Sequence, residues 1–171
     1  MLFRSGRKIS PAPDRVHFVP GGLVLGPEKP QLHGLVVTRG KEDIGDDVLM
    51  EAEIVGGNRW SLGFSLSGDS FEGFRVIFAP EGYPNGITID TIHPVECILL
   101  ASDPRTISYD RDHTLRVERR GKRFRVWIDR DLRIDTEIAH PLADGRRRAF
   151  AISNFGAPPV IRALRVWKAA P

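Results

Sequence analysis

Apolar and polar residues alternate along most of the chain with a period of two, the mark of strands that bury one face. The pattern is plainest in "HTLRVERRGKRFRVWIDRDLRID", from His113 to Asp135. Leu115 and Val117 alternate with Arg116 and Glu118, and Phe124, Val126 and Ile128 alternate with Arg123, Arg125 and Trp127. Between them "RRGKR" carries Gly121, which accepts positive φ at a hairpin turn. "DRD" at 129–131 marks a second turn, after which Leu132 and Ile134 resume the alternation. A three-stranded meander is predicted. With Phe124, Val126 and Ile128 inward, Trp127 is placed on the outer face beside Arg123 and Arg125.

The same grammar recurs upstream. "VLMEAEIV" (48–55) puts Val48, Met50, Ala52 and Ile54 on one face and Glu51 and Glu53 on the other. Trp60, Leu62, Phe64 and Leu66 alternate with small or polar residues, as do Phe74, Val76 and Phe78 with Arg75 and Ile77. Further strands are predicted at 23–25, 32–38, 87–92, 95–101, 150–153 and 161–167. Turn chemistry separates them in "VGGNR", "SGDSFEG" and "PEGYPNG". Parity places Trp60 in the core and Trp167 either there or at a sheet edge. No window of a dozen residues carries a 3.6-residue period. About a dozen short strands predict an all-β, two-sheet antiparallel sandwich. Residues 14–171 read as one domain, and 1–13, ending "SPAP", as an N-terminal arm or linker remnant.

Composition narrows this little. A length of 171 residues suits one domain with a real core. The longest apolar run, "CILLA" from Cys97 to Ala101, is strand-sized, far short of a membrane helix. The N-terminal stretch has no apolar run of signal-peptide length. The single cysteine, Cys97, excludes an internal disulfide and a cysteine zinc cluster, and its apolar setting predicts a buried, inert thiol. Charge is uneven: between Arg116 and Arg125 six basic residues face one acid, Glu118. That stripe is either a solvated outer face or a surface for anionic partners. A net charge of only +3 disfavours nucleic acid.

The order of segments resembles the concanavalin A-like jelly-roll superfamily, which includes laminin G-like modules and polysaccharide-active enzymes. "GGLVL" resembles its early strand, and "DDVLMEAEI" its "D-f-x-l-x-a-e" strand. "RWSLGFSLSGDSFEGFRVIF" is similar to its paired central strands. "HTLRVERRGKRFRVWIDRDLRID" resembles the "w-H-t-l-r-v" strand leading into a "v-x-v-y-v-D-G" hairpin, and "FAISNFGAPPVIRALRVWKA" the closing pair. Arg130 stands where that hairpin has glycine, so a longer or differently shaped turn is expected there. The resemblance implies a jelly-roll β-sandwich, and by analogy an extracytoplasmic setting.

Catalytic signatures fail. Hydrolases of this superfamily carry "E-x-D-x-x-E" on one strand face, a spacing suited to glycosidic bond cleavage. Here Glu51 and Glu53 share a face and Asp90 stands alone, with no third carboxylate in register. His113 occupies the family's histidine position and reads as structural. Asp129, Asp131 and Asp135 invite calcium, but the loop lacks the glycine and terminal glutamate of a calcium-binding hand. No nucleophile elbow, phosphate loop or dinucleotide fingerprint occurs. The expected function is therefore a non-catalytic recognition module for a carbohydrate or a protein surface, anionic glycans among them. Trp127, Arg125 and Arg123 are its predicted ligand residues, with Tyr83 and Asn85 in an exposed loop. No cofactor is expected, calcium being the one weak candidate. A glycoside-active enzyme with carboxylates on the concave sheet, and an assembly domain pairing its strand edges with other chains, are the alternatives.

Overall fold

A computed structural model describes residues 16–25, 33–37, 47–57, 60–66, 73–78, 86–92, 98–108, 110–139, 149–154, 157 and 159–168. In β4 (Val48–Val55) buried and half-buried residues alternate without exception, as its sequence requires. It lies in a seven-stranded sheet of order β1 (Val16–Val19), β2 (Gly22–Leu25), β13 (Val160–Lys168), β4, β9 (His113–Arg120), β10 (Arg123–Ile128), β11 (Asp131–Glu137). A six-stranded sheet has the order β3 (His33–Val37), β12 (Ala149–Asn154), β5 (Trp60–Leu66), β6 (Gly73–Phe78), β7 (Ile87–Ile92), β8 (Leu99–Asp103). Every described pairing is antiparallel. There is no helix among the described residues.

The core lies between the sheets. Met50, Ala52, Val117, Phe124 and Val126 meet Leu62, Phe74, Val76, Phe78 and Ile89, all buried. Phe74 and Phe124 join the layers edge to face, with ring centroids 5.1 Å apart. Each such apolar side chain contributes about 1.5–3 kcal/mol on burial. Trp60 is in this core, as its parity predicts.

Three sequence expectations change here. Leu132 does not share the face of Ile134: an irregularity opposite Val126 and Trp127 leaves Arg133 as an extra residue on β11. Ile134 stays buried and Leu132 turns outward, 43% exposed, because one inserted residue reverses strand parity. Arg119 is not part of an outer stripe. It follows the inward parity of β9, 1% exposed, with its guanidinium 5.1 Å from the Phe74 ring and 5.5 Å from that of Phe124. Its Nε donates to the Gly121 carbonyl at 3.0 Å. The strand expected at 95–101 is β8, shifted to Leu99–Asp103, because pairing with β7 carries it on to Asp103 opposite Ile87. Ile98 and Leu99 are exposed, and Cys97 lies outside the described residues, as does the 1–13 arm. Of the two places open to Trp167, the core and a sheet edge, it takes the edge. It lies on the outer face of β13, 42% exposed, beyond the two residues that β2 covers.

Turns follow the glycines where the backbone demands them. Gly121 has φ 54° at the two-residue β9–β10 connection. The β10–β11 connection is also two residues, not longer. Asp129 takes φ 60° there, a conformation that Asp tolerates better than most side chains.

A polar clasp ties the sheets at one edge. Asp103, ending β8, accepts Arg105 Nε at 3.1 Å and the Arg105 backbone N–H at 3.0 Å, and pairs with Arg133 Nε. Both Asp103 and Arg133 are nearly buried, and Arg133 is the bulged residue of β11. Its extra position aims the side chain across the sandwich. Arg105 continues to Asp131 at 3.2 Å. Burial opposes ionisation of Asp103, but the hydrogen bonds from Arg105 and Arg133 outweigh it and hold its carboxyl below the ordinary range.

Candidate functional site

The two outer faces differ. On the six-stranded sheet, Ser61, Ile77 and Thr88 are cross-strand neighbours pointing away from the core, yet all are buried. The outer face of the seven-stranded sheet is accessible, and register arranges it in rows. One row reads Arg165, Glu51, Arg116, Trp127, Leu132 across β13, β4, β9, β10 and β11. The next reads Trp167, Leu49, Glu118, Arg125, Asp135.

Trp127 therefore faces outward, half-buried, as the alternation predicts. Arg116 lies over its ring at 5.1 Å, a cation–π contact. Around it the surface sinks into a depression of about 380 Å³, lined by Glu51, Thr114, Arg116, Trp127, Asp129 and Arg130. The indole supplies an apolar wall, and the remaining groups supply hydrogen-bonding partners. Leu132, opposite Trp127 on the neighbouring strand, extends the apolar surface.

Arg125 and Arg123 lie on the same face but not as a free basic stripe. Arg125 meets Glu118 and Asp135, each at 3.4 Å. Arg123 holds Asp135 through two parallel contacts, 2.7 and 2.8 Å, and this fork holds the Asp135 carboxyl below its ordinary range. Arg120 donates to Glu118 at 2.6 Å. Glu118 within the run and Asp135 on the neighbouring strand neutralise much of the expected positive field. Tyr83 and Asn85 lie outside the described residues.

The candidate catalytic carboxylates are not brought together. Asp90 is on β7 of the other sheet, paired with Arg75 at 3.3 Å. Glu51 and Glu53 both bind Arg165 Nη1, at 3.0 and 2.5 Å. His113 is structural: buried, Nδ1 3.1 Å from Asp129 and Nε2 2.5 Å from the Ser108 carbonyl. Asp129 also accepts the Thr114 backbone N–H at 3.0 Å and meets Arg111 at 3.4 Å. It is the anchor of the rim, and not an open ligand.

The aspartates that invite calcium are each engaged by side-chain cations. Asp129 is held as just described, Asp131 by Arg105, and Asp135 by Arg123 and Arg125, so their oxygens face cations already. Among the described residues no group of three metal-binding side chains occurs. No described helix is long and apolar enough to cross a membrane.

No protein-family model matches the chain, and no curated protein matches it in sequence. Solved structures do match. The carbohydrate-binding module CBM66 from Bacillus subtilis aligns with a TM-score of 0.68 at 14% identity, covering 90% of this chain and 91% of that one. The Emp46p carbohydrate recognition domain, metal-free form, gives 0.68 at 13% identity, covering 92% and 87%. The VIP36 exoplasmic/lumenal domain, Ca2+/Man-bound form, gives 0.64 at 13% identity, covering 91% and 81%. At these identities the likeness is one of fold. The fold is the concanavalin A-like jelly-roll sandwich.

Proposed function

We propose that the chain is a non-catalytic carbohydrate-binding module with Trp127 as its platform. The observation that carries this reading is the outward Trp127 at the wall of the depression, beside unpaired guanidinium groups and exposed Leu132. Sugar rings present apolar C–H faces to an indole and hydroxyls to surrounding charged groups, so such a wall suits them. The printed names of the solved neighbours, a carbohydrate-binding module and a carbohydrate recognition domain, support the same class. Both carboxylates of the depression, Glu51 and Asp129, are engaged by partners, which favours binding over bond cleavage. The proposed setting is extracytoplasmic, in keeping with the exoplasmic/lumenal neighbour, and cell fractionation checks it.

A glycan array probed with the wild type and with Trp127→Ala tests the function. Binding in the wild type and its loss in the variant, with both still folded, is the expected result. Incubating each hit with the protein and assaying new reducing ends separates the classes, and released product would assign the enzyme reading instead.

A further inference from the structure

We propose that the ligand of the Trp127 depression carries an oxyanion, a carboxylate or a sulfate ester on the sugar, read by Arg116 and Arg130. This rests on the carbohydrate-binding reading and narrows its ligand class.

The reason lies in which arginines are left over. Across the described residues, arginines are matched to carboxylates almost throughout: Arg75 to Asp90, Arg105 and Arg133 to Asp103, Arg162 to Asp112. On the outer face Arg120, Arg123, Arg125 and Arg165 are each paired in the same way. Arg111 holds Asp129, and buried Arg119 has the Gly121 carbonyl and two aromatic rings. Of the exposed arginines among the described residues, Arg116 and Arg130 alone have no ion pair, and both line one depression. Two unmatched cations converging on one concave site, on a face otherwise neutralised, is a placement that a merely solvated surface does not require.

The chemistry is specific. A guanidinium presents a planar fork of donors that fits a carboxylate or sulfate oxygen pair. Arg116 lies over the indole ring, so an anion held by its guanidinium lies close to a sugar packed against Trp127. Neither lining carboxylate is in ion-pair contact with Arg116 or Arg130: Glu51 shares Arg165 with Glu53, and Asp129 meets Arg111 and His113. Both free arginines are exposed, so their attraction is screened over about 8 Å at physiological ionic strength.

The test uses matched glycans: oligogalacturonate against its methyl ester, and a sulfated oligosaccharide series against its desulfated skeletons. Affinities are measured for the wild type, Arg116→Gln, Arg130→Gln, Trp127→Ala and the control Lys122→Gln. The acidic member of at least one pair should bind about tenfold or more tightly than its neutral partner. That preference should fall with added salt, shrink in Arg116→Gln and Arg130→Gln, and persist in Lys122→Gln. Which series responds tells a carboxylate from a sulfate. Equal binding of both members, abolished by Trp127→Ala, overturns the oxyanion inference and leaves the carbohydrate reading intact. An acidic preference unmoved by either arginine change also overturns the inference. Binding to no glycan, acidic or neutral, overturns both.

Discussion

Trp127 and Phe124 sit three residues apart on β10, yet their energetic roles differ because one faces the core and the other the solvent. Phe124 is fully buried against Phe74 and the Arg119 guanidinium, so Phe124→Ala should cost about 3–5 kcal/mol through the cavity it leaves. Trp127→Ala removes a half-buried ring and its contact with Arg116, and should cost only about 1–2 kcal/mol. Urea unfolding of the two variants measures the difference, and a Trp127→Ala loss as large as that of Phe124→Ala would sink the platform reading. The outward position of Trp127 follows from period-two alternation alone. Its partner Arg116 was within reach of the same logic: a two-residue turn at 121–122 sets Arg120 against Arg123 and, counting back, Arg116 against Trp127. Arg130 had no such signal, because a turn residue has no strand parity to aim it.

At the scale of elements, glycines separate two kinds of constraint. Gly121 has positive φ with open space around its missing Cβ, so Gly121→Ala should cost about 1 kcal/mol through backbone strain alone. Gly86 enters β7 against the Arg105 backbone, where a Cβ would overlap the Arg105 carbonyl oxygen. Backbone cannot swing aside, so Gly86→Ala should destabilise well beyond Gly121→Ala, and paired thermal melts compare them directly. The meander β9–β10–β11 and the strands at 48–55, 60–66 and 87–92 were legible as written, since alternation and turn glycines are local signals. The bulge at Arg133 was not. "DLRID" reads as uninterrupted alternation, and only the pull of Asp103 on the neighbouring sheet gives the extra residue a purpose.

For the whole molecule, the clasp between β8 and β11 couples the two sheets to pH. Asp103 has a depressed carboxyl, so its stabilising contribution is fully present above the unfolded value of about 3.9 and is lost as pH falls through the lower folded value. Stability should therefore decline below about pH 4 in the wild type, and Asp103→Asn should lack that part of the decline. At neutral pH the same change leaves Arg133 nearly buried without its carboxylate and should cost about 3 kcal/mol. Denaturant midpoints for both proteins at pH 7 and near pH 3 test the sign: a gap between them that does not narrow in acid would refute it.

By itself the sequence determined the class of fold, most strand boundaries, the hairpin at Gly121 and the outward face of Trp127. Each of these depends on neighbours within a few residues, where pleat parity and turn conformation are decided. Only the tertiary structure decided which charges stay free. Arg165 finds Glu51 at 114 positions' separation, Arg133 finds Asp103 at 30, and Arg119 turns inward between two phenylalanines. A run that reads as six basic residues becomes a largely neutralised face, because pleat and register turn Glu118 and Asp135 toward Arg120, Arg123 and Arg125 while Arg119 points inward. Arg116 is left facing the Trp127 depression because Glu51, its register neighbour on β4, pairs with Arg165 instead, and Arg130 because no described carboxylate comes within ion-pair distance of it.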